Sequence, residues 1–197
     1  MTRQEADELS KIPGNVKGAI FQSHAVFIRF KKGDQGVKMV EEKLKELGHP
    51  LKFEEIKSLG WYPEALSSLV VVVAKDVFNW TDKDIFEMGN FAPKTSFVIS
   101  LMVKYLLSPQ IAFKAAGELW KKHLDFGELE AREFNKKEKY IVLRVKGYKF
   151  HPLLCIYGQG YYLRVAQFVI KSAKITIEET KCMFKGDPYH EYILRWE

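Results

Sequence analysis

The period of the apolar residues changes once along this chain, near residue 125, and that change limits the fold more than any motif. Upstream, segments repeat at helical spacing. In GVKMVEEKLKELG (36–48), Val37, Val40, Leu44 and Leu47 share one face, and Gly48 follows as a C-terminal stop. YPEALSSLVVVVAKDVF (62–78) starts with Pro63, where a missing N–H is harmless, then turns apolar almost all round, as a buried helix does. TDKDIFEMGN (81–90) opens on a Thr-x-x-Asp cap, and Ser108–Pro109 caps SPQIAFKAAGELWKKHL. KTSFVISLMVKYLL (94–107) continues the helical run, whereas AIFQSHAVFIRF (19–30) fits helix or strand. Downstream, GELEAREF and KYIVLRVKG alternate around a charged NKKEK loop. PLLCIYGQGYYLRVAQFVIK (152–171) returns to helical spacing, and AKITIEETKCMF and YHEYILRW alternate again about KGDP. The expected fold is α+β: a mainly helical N-terminal part (1–124) packed with a C-terminal antiparallel sheet of ββαββ order (125–197).

A chain of 197 residues accommodates one sizeable core, with 47% apolar and 28% charged residues in a soluble balance. The longest apolar run, LVVVVA, is far too short for a bilayer, and MTRQEADELSKIPG lacks a signal-peptide pattern, so a cytoplasmic protein with no membrane partner is expected. The net charge of +6 is spread mainly over lysines, with no arginine stripe, zinc-finger spacing or RNP-type aromatics, which argues against nucleic acid. Walker, kinase, Gly-x-Ser-x-Gly and His-Glu-x-x-His patterns are missing, and no catalytic acid–base pair can be nominated; a non-enzyme is expected.

The two cysteines, Cys155 and Cys182, are too few for a secreted disulfide framework. Element lengths nonetheless bring them together. The helix from Cys155 to Lys171 runs roughly 24 Å, and the strand from Lys174 to Cys182 returns roughly 26 Å. A hairpin centred on Gly186 then sets His190 across from Cys182. Two thiols and an imidazole meeting at one point suit a metal ion; equally, cysteine packs as a small hydrophobe and histidine as a strand-pairing residue.

GYYLRVAQFVIKSAKITIEETKC and GDPYHEYILRW resemble the vinyl-4-reductase-type domain, of the superfamily shared by haem–nitric-oxide sensors, aromatic-sensing activators and vesicle-tethering subunits; the upstream helices resemble uncharacterised bacterial proteins with this ending. The resemblance implies a structural zinc held by Cys155, Glu179, Cys182 and, where the family usually has cysteine, His190. In a regular strand Glu179 and Cys182 face opposite sides, so both can bind only across a bulge. Haem is not expected: the Tyr-x-Ser-x-Arg clamp of the gas-sensing branch is missing, and His123 near a helix end reads as a dipole-complementing or surface residue.

The function expected is a non-enzymatic sensor or regulatory module binding a small apolar or aromatic ligand, acting through a homodimer or a signalling-protein partner. The alternative is a dimeric scaffold without a small ligand. Trp61, Trp80, Trp120, Phe126 and Tyr161 are the candidate pocket residues, against the plainer reading that they are core.

Overall fold

The computed structural model describes residues 1–95 and 108–197; most of the helix expected over 94–107 lies outside them. Helix α1 (Arg3–Ser10) follows a capping box in which Thr2 Oγ1 accepts from Glu5 N–H and the Glu5 carboxylate accepts from Thr2 N–H. Strand β1 (Asn15–Lys17) leads into α2 (Ala19–Glu46), so the ambiguous 19–30 segment is helical. At Gly33 a φ of 69° divides α2 into two stretches, and the second buries Val37, Val40 and Leu44. Strand β2 (Trp61–Pro63) pairs antiparallel with β1, opposing Tyr62 to Val16.

Helix α3 (Glu64–Phe78) is buried along nearly its whole first three turns, as its all-round apolar sequence requires. Thr81 and Asp84 cap α4 (Asp82–Thr95) reciprocally, and Ser108 Oγ accepts from Ile111 N–H at the start of α5 (Pro109–His123). Then follow β3 (Glu128–Asn135), β4 (Tyr140–Lys146), α6 (Leu153–Val169), β5 (Ile175–Lys181) and β6 (His190–Trp196). The last four strands form one antiparallel sheet in the order β3-β4-β6-β5. This is the α+β architecture that the change of period predicts.

Helix α6 touches β5 and β6 on one side and α4 on the other. Its contact with α4 is close because two glycines face the crossing. A Cβ built on Gly89 would lie 1.9 Å from the Tyr157 carbonyl oxygen, and one on Gly160 2.0 Å from that of Phe86. Asn90 donates to the Gly160 carbonyl and accepts from the Arg164 guanidinium at 2.6 Å. A large apolar cluster fills the helical layer around Phe21, Ile28, Leu44 and Leu69; a smaller one around Ile141, Leu143, Ile170 and Leu194 lies under the sheet. Where helices and sheet meet, Asn15 donates its N–H and Nδ2–H to the Asp125 carboxylate, at 2.7 and 2.8 Å. Among the described residues, no helix is long and apolar enough to cross a membrane.

Candidate functional site

Four ligand-type side chains converge beneath the last hairpin. Cys155 comes from the first turn of α6, Glu179 from β5, Cys182 from the residue after β5, and His190 from the start of β6; one ligand atom of each lies within 4.8 Å of all the others. The hairpin register alone would turn Glu179 away from Cys182. A bulge between Glu179 and Lys181 inserts one residue against the partner strand, so the carboxylate and the thiol share a face with His190. The chain then turns through a short 3-10 segment (Met183–Lys185) to Gly186 at φ 97°, with the Cys182 amide donating to the Asp187 carboxylate.

The imidazole orientation is set by chemistry. His190 Nε2 lies 2.9 Å from the Tyr148 carbonyl, which can only accept, so Nε2 carries the proton. Nδ1 therefore faces the cluster, 2.9 Å from Glu179 Oε1 and 3.7 Å from Cys155 Sγ, while the two sulfurs are 3.7 Å apart. Burial pushes the Cys155 thiol well up, with the Glu179 carboxylate and Cys182 adding to the effect. A carboxylate oxygen and an imidazole nitrogen at hydrogen-bond distance need a proton between them or a cation bound to both.

Beside the cluster lies a cavity of about 230 Å³, whose wall includes Cys155 and His190. Helices α2 and α3 contribute Ile20, Ser23, His24, Glu64 and Ser67; α5 contributes Ala116, Leu119, Trp120 and His123; α6 contributes Tyr157, Tyr161 and Tyr162. The sheet side adds Leu129, Leu143, Val145 and Tyr192, with Tyr148 just after β4. The wall is mostly apolar, but His24 and Glu64 are 1% and 3% exposed. Both His24 ring nitrogens and Glu64 Oε2 lack any hydrogen-bond partner among the described residues. Glu64 Oε1 accepts from the Tyr148 hydroxyl and from Ser68 Oγ. Burial raises the Glu64 carboxyl to about 7, and the Tyr148 hydrogen bond works against that rise. Burial also drives the His24 imidazole down to about 3, so at neutral pH it is uncharged.

Of the aromatics expected in a pocket, Trp120 and Tyr161 line this cavity. The other three do not. Trp61 is 45% exposed beneath the Lys17 ammonium, because β2 is a short edge pair on the surface. Trp80 packs edge-on to Phe27 within the helical core. Phe126 stacks on Tyr148, meets Phe150 edge-on and fills the space above Gly14. His123, read as a dipole or surface residue, is half-buried in the cavity wall, its Nδ1 2.9 Å from the Leu119 carbonyl. Sequence reasoning missed His24, Glu64 and Tyr148. The available signal was a lone histidine within FQSHAVF and a glutamate followed by two serines at the head of an otherwise apolar helix.

No family model matches the chain, and no curated protein does. Solved structures share its fold. An H-NOX protein from S. oneidensis in the Fe(II)NO ligation state aligns at TM-score 0.69 and 17% identity, over 92% of this chain and 99% of that one. An Fe(II) unliganded H-NOX protein from K. algicida aligns at 0.64 and 14%, over 92% and 96%. A chain described in terms of heme redox potential and porphyrin distortion aligns at 0.62 and 14%, over 91% and 99%. The fold is thus that of haem-nitric-oxide-binding domains.

This comparison corrects the expected cofactor, a structural zinc with haem set aside. The neighbours are described with iron and heme, which conflicts with setting haem aside, and they lend zinc no support. Among the described residues the wall carries three histidines, His24, His123 and His190, the last of which belongs to the cluster above. With His123 Nδ1–H donated to Leu119, Nε2 keeps its lone pair and is the ring nitrogen that could ligate iron. The surrounding aliphatic and aromatic side chains suit a flat apolar macrocycle.

Proposed function

We propose that this chain is a non-enzymatic, small-molecule-binding sensor module whose occupant, a flat apolar or aromatic molecule, lies between the helices and the sheet. The observation that carries this reading is a largely apolar interior cavity whose wall holds buried polar groups without partners among the described residues. The occupant would touch α2, α3, α5, α6 and the sheet together, so its arrival biases how these layers pack, and a protein partner or second copy could read that change. An iron porphyrin is one such occupant; His123 would hold it, and when bound it would supply a site for a diatomic gas. The likeness of the C-terminal part to vinyl-4-reductase-type domains supports the same reading. Native mass spectrometry and absorption spectroscopy of the purified chain, before and after hemin is added, test it. A retained organic mass, or a Soret band lost in H123A, is expected. A chain that retains nothing and takes up neither hemin nor an aromatic probe overturns it.

A second reading rests on the four converging acceptors. We propose that Cys155, Glu179, Cys182 and His190 together hold one divalent transition-metal ion as a structural staple. Two thiolates, an imidazole and a carboxylate leave no open position for catalysis. Cobalt(II) added to metal-free protein should give intense thiolate charge-transfer bands with tetrahedral d–d absorption, and C182S should lose at least half of the charge-transfer intensity. Identical spectra in C182S would remove Cys182 from the site.

A further inference from the structure

Resting on the cavity reading above, we propose that the helical wall of this cavity is a recognition site for an organic ammonium ion: a protonated amine on an aromatic or aliphatic body. Among the described residues the wall carries one carboxyl group, Glu64, and no lysine or arginine. Among those residues Glu64 has an unpartnered oxygen, Oε2, and no countercharge beside it. A buried carboxylate without a cation is costly, and a ligand that brings the missing charge recovers that cost on binding. The second orphan agrees. His24 is neutral, so one of its ring nitrogens is a bare acceptor, and an ammonium has N–H donors to spare for both groups.

The remaining wall fits the same head group. Trp120, Tyr148, Tyr157, Tyr161 and Tyr162 surround the space, and ring faces attract an ammonium with added strength once water is excluded. Burial holds the Tyr157, Tyr161 and Tyr162 hydroxyls above their ordinary range, so they stay neutral and keep their protons. An anionic head would instead meet Glu64 with no cation to offset it. A neutral head would satisfy the hydrogen bonds but leave the carboxylate charge unbalanced.

The test compares three probes with one phenyl body. Isothermal titration calorimetry of the full chain at pH 8, where Glu64 is ionised, uses phenethylammonium, neutral 2-phenylethanol and anionic 3-phenylpropionate. The ammonium is expected to bind at least tenfold more tightly than the alcohol, and the carboxylate more weakly than either. In E64Q the ammonium-over-alcohol preference should collapse to within about threefold while the alcohol still binds. If E64Q does not fold, the ordering in the unaltered chain decides alone. Equal binding of ammonium and alcohol, or a preference that survives in E64Q, overturns the inference and leaves the cavity reading intact. Uptake of hemin with no binding of any phenyl probe does the same. Binding of none of the four compounds overturns both.

Discussion

Glu64 and His24 couple protons to folding with opposite signs. The folded carboxyl titrates near 7 against a usual 4.5, so from about pH 4.5 to 7 the native chain keeps a proton that the unfolded chain has released. Glu64 therefore subtracts stability as pH rises through that window, by about 3 kcal/mol in full. His24 titrates near 3 when folded against 6.5, so its contribution is complete above 6.5 and is lost as pH falls towards 3. Between about 4.5 and 6.5 the two slopes offset each other. In E64Q the offset disappears: relative to the parent, its stability should climb from about pH 5 to 7 by up to roughly 3 kcal/mol in urea denaturation. Parallel curves would mean that Glu64 ionises freely inside the fold. The metal-type ligands need no such titration to be recognised, since their geometry alone sets two acceptors at hydrogen-bond distance.

At the scale of the element, the α4–α6 crossing is a close backbone contact, and two neighbouring glycines of α6 differ sharply in what they tolerate. A Cβ at Gly160 would overlap the Phe86 carbonyl, whereas one at Gly158 would meet the Tyr192 hydroxyl at an ordinary 3.4 Å. G160A should lose about 2–3 kcal/mol, since helix backbone must move apart. G158A should be neutral or gain up to about 1 kcal/mol from helix propensity. Equal losses in thermal or urea unfolding would show that the crossing can open without cost. These elements were largely legible from periodicity and caps: Thr81 and Ser108 cap as their positions suggest, and Val37, Val40 and Leu44 face inward. Segment 19–30 was not, because Phe21, His24 and Phe27 suit a helix or a strand equally until the helical core packs against them. Element lengths were enough to bring Cys155, Cys182 and His190 near one another, and bulge geometry, which decides the facing of Glu179, depends on pairing that no local pattern records. Tertiary packing alone determines which aromatics meet empty space, so Trp120 and Tyr161 line the cavity while Trp61, Trp80 and Phe126 do not.

For the whole molecule, the cavity matters because its wall draws on the helical layer and on the sheet, whose apolar clusters are otherwise separate. An occupant should therefore slow amide exchange in both at once, in α2 and α3 as well as in β4 and β6, and protection confined to one layer would show that the two respond independently. The bulge in β5 has a wider consequence for this chain's tolerance to change. Thr180 is the surplus residue there: Glu179 already opposes Tyr192, and Lys181 already opposes Glu191. A gene that lost that single codon would encode a flush hairpin in which Glu179 and Cys182, now two positions apart, still look the same way. At a regular position of the sheet such a deletion would turn a strand's inner side chains out to solvent; here, as at Arg132 in the bulge of β3, the reading frame of the fold has slack.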